Sequence, residues 1–189
     1  MTNALTDAAA APSLAPARAV VVMGPAGSGK SFIGTRLAEA LGWTFVEGDE
    51  HHPAENVARM RAGLPLDDAM RTPWLAALAA LVARAVAGDR PVVMACSALR
   101  VAYRQALVPA GAPPGAVRFV YLHADPALLA ARLAGRAGHF FAPALLGSQL
   151  AALEPPGAAA EDEPAPVLTL DAAQAPEALV AAARAALGV

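Results

Sequence analysis

The eight residues Gly24-Pro25-Ala26-Gly27-Ser28-Gly29-Lys30-Ser31 constrain this chain more than any other stretch. They follow the apolar run Ala19-Val20-Val21-Val22-Met23 and precede a helical pattern over 31–41, so they read as the turn between a buried parallel strand and a helix. In that setting G-x-x-x-x-G-K-S is a phosphate-gripping loop. Its glycines let successive backbone N–H groups converge on phosphate oxygens, the helix N-terminus adds positive partial charge, and the serine hydroxyl reaches a magnesium ion. Lys30 is the single lysine among 14 basic residues. A guanidinium is a planar fork, whereas a compact ammonium can follow a phosphate chain between β and γ oxygens, and only this position kept lysine. Gly24, Pro25, Ala26, Gly27, Ser28, Gly29, Lys30 and Ser31 are therefore assigned to nucleotide binding, with Lys30 also catalytic and Ser31 the metal ligand.

Downstream, short apolar runs alternate with helical patterns, which predicts an α/β fold whose parallel sheet is covered on both faces. Strands are expected at 19–23, 43–47, 91–96, 117–122 and 167–170. Helices are expected at 31–41, from Pro53 to near Gly63, from Thr72-Pro73 to 87, at 98–107, from Asp125-Pro126 to about Gly135, at 148–153 and at 176–187. Residues 138–147 read as irregular or short-helical, and 154–166 as a Pro- and acid-rich loop. The Ala/Pro-rich start, 1–18, reads as a disordered leader, because small side chains bury too little area to offset chain entropy, and 19–189 reads as one domain.

At 57% hydrophobic and 189 residues, the chain has enough apolar surface for one well-formed core. A net charge of −2 argues against nucleic acid as the main ligand, so an anionic substrate must be met by local arginines. The single cysteine, Cys96, lies in an apolar run, which excludes a disulfide framework and points to a reducing compartment. Apolar stretches are interrupted by Arg, Gly or Pro, so no membrane span is expected.

Ligands of an open parallel sheet collect beyond the carboxyl ends of the strands. Polar residues follow four of these ends: the phosphate loop, Asp49, Ser97, and His123 with Asp125. Asp49, one strand over from the loop, is placed to take a substrate hydroxyl proton or to hold a magnesium-bound water, or else to cap a helix. His51 and His52 are adjacent and so point differently, and no cluster completes a zinc set around them. Arg132 and Arg136, four apart on one helix face, fit a cationic flap over nucleotide phosphates, as they would a solvated surface. Met60, Met70, Met94 and Trp74 read as packing residues.

Further motifs are spread over about 19–170. They are Gly48-Asp49, His52-Pro53, Asn56, Met60, Gly63, Pro65-Leu66-x-Asp68, Arg71 and Pro73-Trp74-Leu75, followed by Cys96-Ser97-Ala98-Leu99-Arg100, Tyr103-Arg104, Gly138-His139-Phe140-Phe141, Ser148-Gln149-Leu150 and Leu153-Glu154-Pro155. With these and the phosphate loop, the chain closely resembles the gluconokinase family. The resemblance implies a P-loop kinase fold, a three-layer α/β/α sandwich with a five-stranded parallel sheet, related to shikimate and adenylate kinases. It implies transfer of the γ-phosphoryl of ATP to the 6-hydroxyl of D-gluconate, a need for Mg2+, a cytoplasmic location and often a homodimer. In this reading Asp49 orients or deprotonates the acceptor hydroxyl, and Arg71 with Arg104 meets the gluconate carboxylate and hydroxyls. Ser97, His139 and Gln149 complete the substrate pocket, while Arg132 with catalytic Arg136 closes over the phosphates. The family usually carries a second acid in a D-x-D-R-like run where this chain has Asp68-Ala69-Met70-Arg71, and usually lysine at the position of Arg100. A kinase for another small acid such as shikimate, or a nucleotide-binding module without turnover, are the alternatives.

Overall fold

In the computed structural model, residues 14–135, 145–157 and 162–188 are described. Arg136 and His139, with most of the Gly/Pro-flanked segment that holds them, and residues 1–13 of the expected leader lie outside the described residues. Five parallel strands form one sheet: β1 (Ala19–Met23), β2 (Thr44–Glu47), β3 (Val92–Ala95), β4 (Val117–His123) and β5 (Val167–Asp171), in the order β2-β3-β1-β4-β5. The strands and the parallel sheet are those expected from the sequence. β1 is central and buried throughout, as a five-residue apolar run covered on both faces must be. Its side chains alternate between two cores. Ala19, Val21 and Met23 pack with Trp74, Leu78, Met94 and Phe119, while Val20 and Val22 pack with Leu37, Leu122, Leu129 and Leu179.

The helices that close these faces are α1 (Lys30–Leu41), α2 (Ala54–Arg61), α3 (Asp68–Val86), α4 (Val101–Leu107), α5 (Pro126–Ala134), α6 (Leu145–Ala152) and α7 (Pro176–Leu187). α3 and α4 cover the first core; α1, α5 and α7 cover the second. This is the expected three-layer arrangement. α3 also reaches the length and apolar character of a bilayer span, 19 residues at hydropathy 1.2, but Trp74, Leu78 and Val82 turn its apolar stripe into the domain core.

Three helix starts differ from the sequence reading. α3 begins at Asp68, not at Thr72-Pro73, because the Asp67 carboxylate accepts the Met70 N–H at 2.8 Å and caps the helix upstream of the proline. Pro73 is then carried inside the helix, where it supplies no N–H, and Asn56 Nδ2 donates to the nearby Met70 carbonyl at 2.8 Å. α4 begins at Val101, not at 98, because Ala98 sits at φ 41, a left-handed conformation that no helix can continue through. α6 begins at Leu145, ahead of the expected 148. At the other end of the chain, residues from Leu14 onward already lie against the domain: the Ala15 N–H donates to the Pro114 carbonyl at 2.7 Å and the Arg18 N–H to the Ala116 carbonyl at 2.8 Å.

Candidate active site

The phosphate loop leaves β1 and curls back on itself before α1. The Ser28 N–H donates to the Pro25 carbonyl at 3.2 Å, and Lys30 Nζ reaches back across the curl to the same carbonyl at 3.0 Å. Gly27 has φ 84, and a Cβ there would stand 2.9 Å from the Leu129 carbonyl, so only glycine lets the loop lie this close to α5. Neighbouring elements hold the loop in place. The Gly24 N–H donates to the Ser97 carbonyl at 3.2 Å, and the Ala26 N–H donates to Gln149 Oε1 at 2.7 Å. Arg132 donates to the Gly27 carbonyl at 3.5 Å and to the Ala172 carbonyl at 2.8 Å, which places it against the outside of the loop, beside the turn after β5. Ser28 Oγ is buried inside the curl with no hydrogen-bond partner among the described residues. Gly27, Gly29, Lys30 and Ser31 line a cleft at the N-terminus of α1, and a glycine-rich turn at a helix N-terminus fits an anionic ligand such as a phosphate chain.

Asp49 stands at the end of β2, in a short 3-10 turn over Gly48–His51. The turn can form here because residue 48 has no side chain: a Cβ at Gly48 would lie 2.3 Å from the Ala95 carbonyl. Trp74 Nε1 donates to the Gly48 carbonyl at 2.7 Å, and the Trp74 ring stacks on His52 with centroids 4.2 Å apart and planes 15° from parallel. Trp74, which the sequence reads first as a packing residue, thus also props the turn that bears Asp49. Burial pulls the His52 pKa down from 6.5 to about 4, with Arg71 adding to that effect and Asp49 opposing it. His52 is therefore a neutral wall of the site at pH 7.

Asp49, His52, Lys30, Ser31, Arg71, Trp74, Ser97, Tyr103 and Gln149 line one cleft. It brings the phosphate loop and the expected acceptor residues face to face. A second cavity, of about 550 Å³, opens among Pro113, Pro114, Pro164 and Pro166 and shares no residue with this cleft. On the acceptor side Arg71 Nη1 donates to the Leu66 carbonyl at 2.7 Å and to Tyr103 Oη at 3.3 Å, and lies 3.7 Å from Asp68 Oδ1. Asp68 also accepts from Tyr103 Oη at 2.5 Å and from Arg100 Nη1 at 2.8 Å. Asp68 and Tyr103 were legible in the motifs, but no local signal shows that α3 and α4 would bring them together.

Arg104 does not reach the cleft, contrary to its expected place at the substrate. Its side chain is fully buried and forms a bidentate pair with Glu163, at 2.7 Å through Nε and 2.5 Å through Nη2. Its remaining donors go to the carbonyls of Ala98, Leu99 and Glu154. With its fork spent in this way, Arg104 fixes the left-handed turn after β3 and so sets the position of Ser97. Glu154 extends the same stitching, accepting the Val101 N–H at 2.6 Å and donating its own N–H to the Leu99 carbonyl at 2.9 Å.

A family model described as an AAA domain matches residues 20–156. A gluconokinase from Gluconobacter oxydans is 45% identical over 147 residues, which cover 78% of this chain and 79% of that protein. Among solved structures, a gluconokinase from Sinorhizobium meliloti 1021 is 41% identical with a TM-score of 0.75, over 93% of this chain and 94% of that one. A sugar kinase from a Janibacter species is 39% identical with a TM-score of 0.80, over 92% and 96% of the two chains.

Proposed function

Since the chain belongs to the gluconokinase family and catalyses ATP-dependent phosphorylation of D-gluconate to 6-phospho-D-gluconate, we propose that Lys30, Asp49 and Arg71 carry that reaction in the cleft between the phosphate loop and α3. The observation that carries this assignment is that Lys30 and Ser31, on the nucleotide side, share one cleft with Asp49 and Arg71 on the acceptor side.

The backbone N–H groups of Gly27, Gly29, Lys30 and Ser31, which line the cleft, and the Lys30 ammonium hold the phosphate chain of ATP. Ser31 is the residue that would hold Mg2+, which would neutralise charge on the phosphates. Arg71 turns its fork to the gluconate carboxylate; its contacts among the described residues all run through Nη1, which leaves the other edge for a ligand. Asp49 takes the proton of the 6-hydroxyl as that oxygen displaces ADP from the γ-phosphorus, and Lys30 stabilises the charge on the phosphoryl in flight. Ser97 borders the acceptor, Gln149 holds the Ala26 N–H of the phosphate loop, and Arg132 braces the loop beside the nucleotide. Arg136 and His139 keep the roles that the sequence assigns them, on the phosphates and on the substrate.

Residues 19–189 form the kinase domain in this proposal, with 1–18 as a leader whose last residues lie along the turn before β4. A cytoplasmic location is supported by the single cysteine, Cys96, which leaves no partner in the sequence for a disulfide framework. A homodimer is proposed from the family alone. A coupled assay of ADP release tests the function: gluconate should give by far the highest kcat/KM against shikimate, glucose and nucleoside monophosphates. Release with shikimate or another acid, but none with gluconate, would reassign the substrate.

A further inference from the structure

We propose that Tyr103 reads a hydroxyl of the sugar acid beside its carboxylate, and that Asp68 sets it to do so by claiming the phenolic proton. The inference rests on gluconate being the acceptor. Tyr103 lies on α4, is 7% exposed, and its residue lines the cleft with Arg71, Leu66 and Ser97.

A phenol has one proton to give and lone pairs to receive with. Here the proton is committed, because Oη donates to Asp68 Oδ1 at 2.5 Å, a charge-assisted bond. Asp68 is held as the anion by its surroundings: the bond from Tyr103 above all, then Arg100 and Arg71, keep its carboxyl below the usual range. Burial and the same bond push the Tyr103 phenol up, so the proton stays on Oη. What Oη has left is acceptor capacity, drawn on only by the 3.3 Å bond from Arg71 among the described residues.

A carboxylate has no proton to offer such an oxygen, whereas a hydroxyl has one. Two guanidinium groups flank the ring, that of Arg71 at 5.5 Å and that of Arg100 at 5.8 Å from its centroid, but Arg100 already holds Asp68. An entering carboxylate is therefore drawn to Arg71. Because Arg71 and Tyr103 touch, with Nη1 3.3 Å from Oη, the free edge of the Arg71 fork and the tyrosine oxygen address nearby groups of one extended substrate: the carboxylate and a hydroxyl on C2 or C3. The pair distinguishes a sugar acid from a plain carboxylic acid, which would bring no donor to the remaining acceptor capacity of the tyrosine oxygen.

The test compares gluconate with 2-deoxygluconate and 3-deoxygluconate in the wild-type enzyme, Tyr103→Phe and Asp68→Ala. Wild type should lose at least roughly tenfold in kcat/KM on one of the two analogues, the loss that follows a missing hydrogen-bond partner in a built site. Tyr103→Phe should shrink that penalty to within about twofold, with the KM for ATP and the melting temperature retained. Asp68→Ala keeps the tyrosine but frees its proton, so Oη can donate as well as accept and the penalty should depart from the wild-type value; an unchanged penalty overturns the part given to Asp68. An unchanged penalty in Tyr103→Phe, or no penalty in wild type on either analogue, overturns the proposal. No ADP release from wild type with gluconate itself overturns instead the substrate reading on which it rests.

Discussion

Gln149 Oε1 accepts the Ala26 backbone N–H at 2.7 Å, so helix α6 is latched to the phosphate loop by a side chain from 123 residues away. The bond occupies one of the loop N–H groups and fixes the loop's outer arm, which couples the placement of α6 to the nucleotide site. Gln149→Ala should accordingly raise the KM for ATP several-fold, in keeping with the loss of one partly buried hydrogen bond of about 1 kcal/mol. Steady-state kinetics with each substrate varied in turn would check it; a change confined to the KM for gluconate would put Gln149 on the acceptor side.

Lys30→Ala should lower kcat by roughly a hundredfold or more, since the ammonium stabilises charge on the transferring phosphoryl. The fold should persist, as Lys30 contributes little apolar area, and a melting temperature within a few degrees of wild type is the control. Turnover above a tenth of wild type would refute the role given to the loop.

Asp49→Asn should reduce kcat far more than it raises the KM for ATP, because the amide preserves the shape of the turn after β2 but cannot take a proton. Equal losses in rate and ATP affinity would assign Asp49 to nucleotide binding.

Arg104 and Arg71 should separate cleanly. Arg104→Ala leaves Glu163 as a charge in a nearly buried setting and strips donors from three carbonyls, so urea denaturation should show a loss on the order of 3–5 kcal/mol. Arg71→Ala should hardly move the unfolding midpoint and should instead raise the KM for gluconate while sparing that for ATP. The reverse pattern would return Arg104 to the substrate pocket.

His52 gives stability a pH dependence of known sign. Its folded pKa is about 4 against an ordinary 6.5, so between those values the unfolded chain binds a proton that the folded chain refuses. Stability therefore rises with pH across that window, and is lost as pH falls from 6.5 toward 4. Denaturation midpoints at pH 4.5 and pH 7 should differ less in His52→Gln than in wild type; an equal difference would show that other groups carry the slope.

The sequence by itself determined the elements whose cause is local. β1 is legible because five apolar residues in a row can be satisfied only inside a covered parallel sheet, and the phosphate loop because its glycines, its lysine and its serine act within eight residues of one another. The spread of motifs likewise announced the family and the acceptor. What escaped the sequence depends on partners far along the chain. Asp68 meets Tyr103 across 35 residues, and Arg104 meets Glu163 across 59. Arg104 and Arg71 carry the same charge and both follow strand ends, so nothing local distinguishes the one that faces the cleft from the one that is buried. That distinction was made by tertiary packing: α4 turns Arg104 inward, where burying an ionised guanidinium is tolerable only beside a carboxylate, and Glu163 supplies it. The start of α3 was decided in the same way between competing signals. The Asp67 cap satisfies the Met70 N–H at the helix end, and the packing of Trp74 and Leu78 on the sheet holds the helix through Pro73 despite the bond it forfeits.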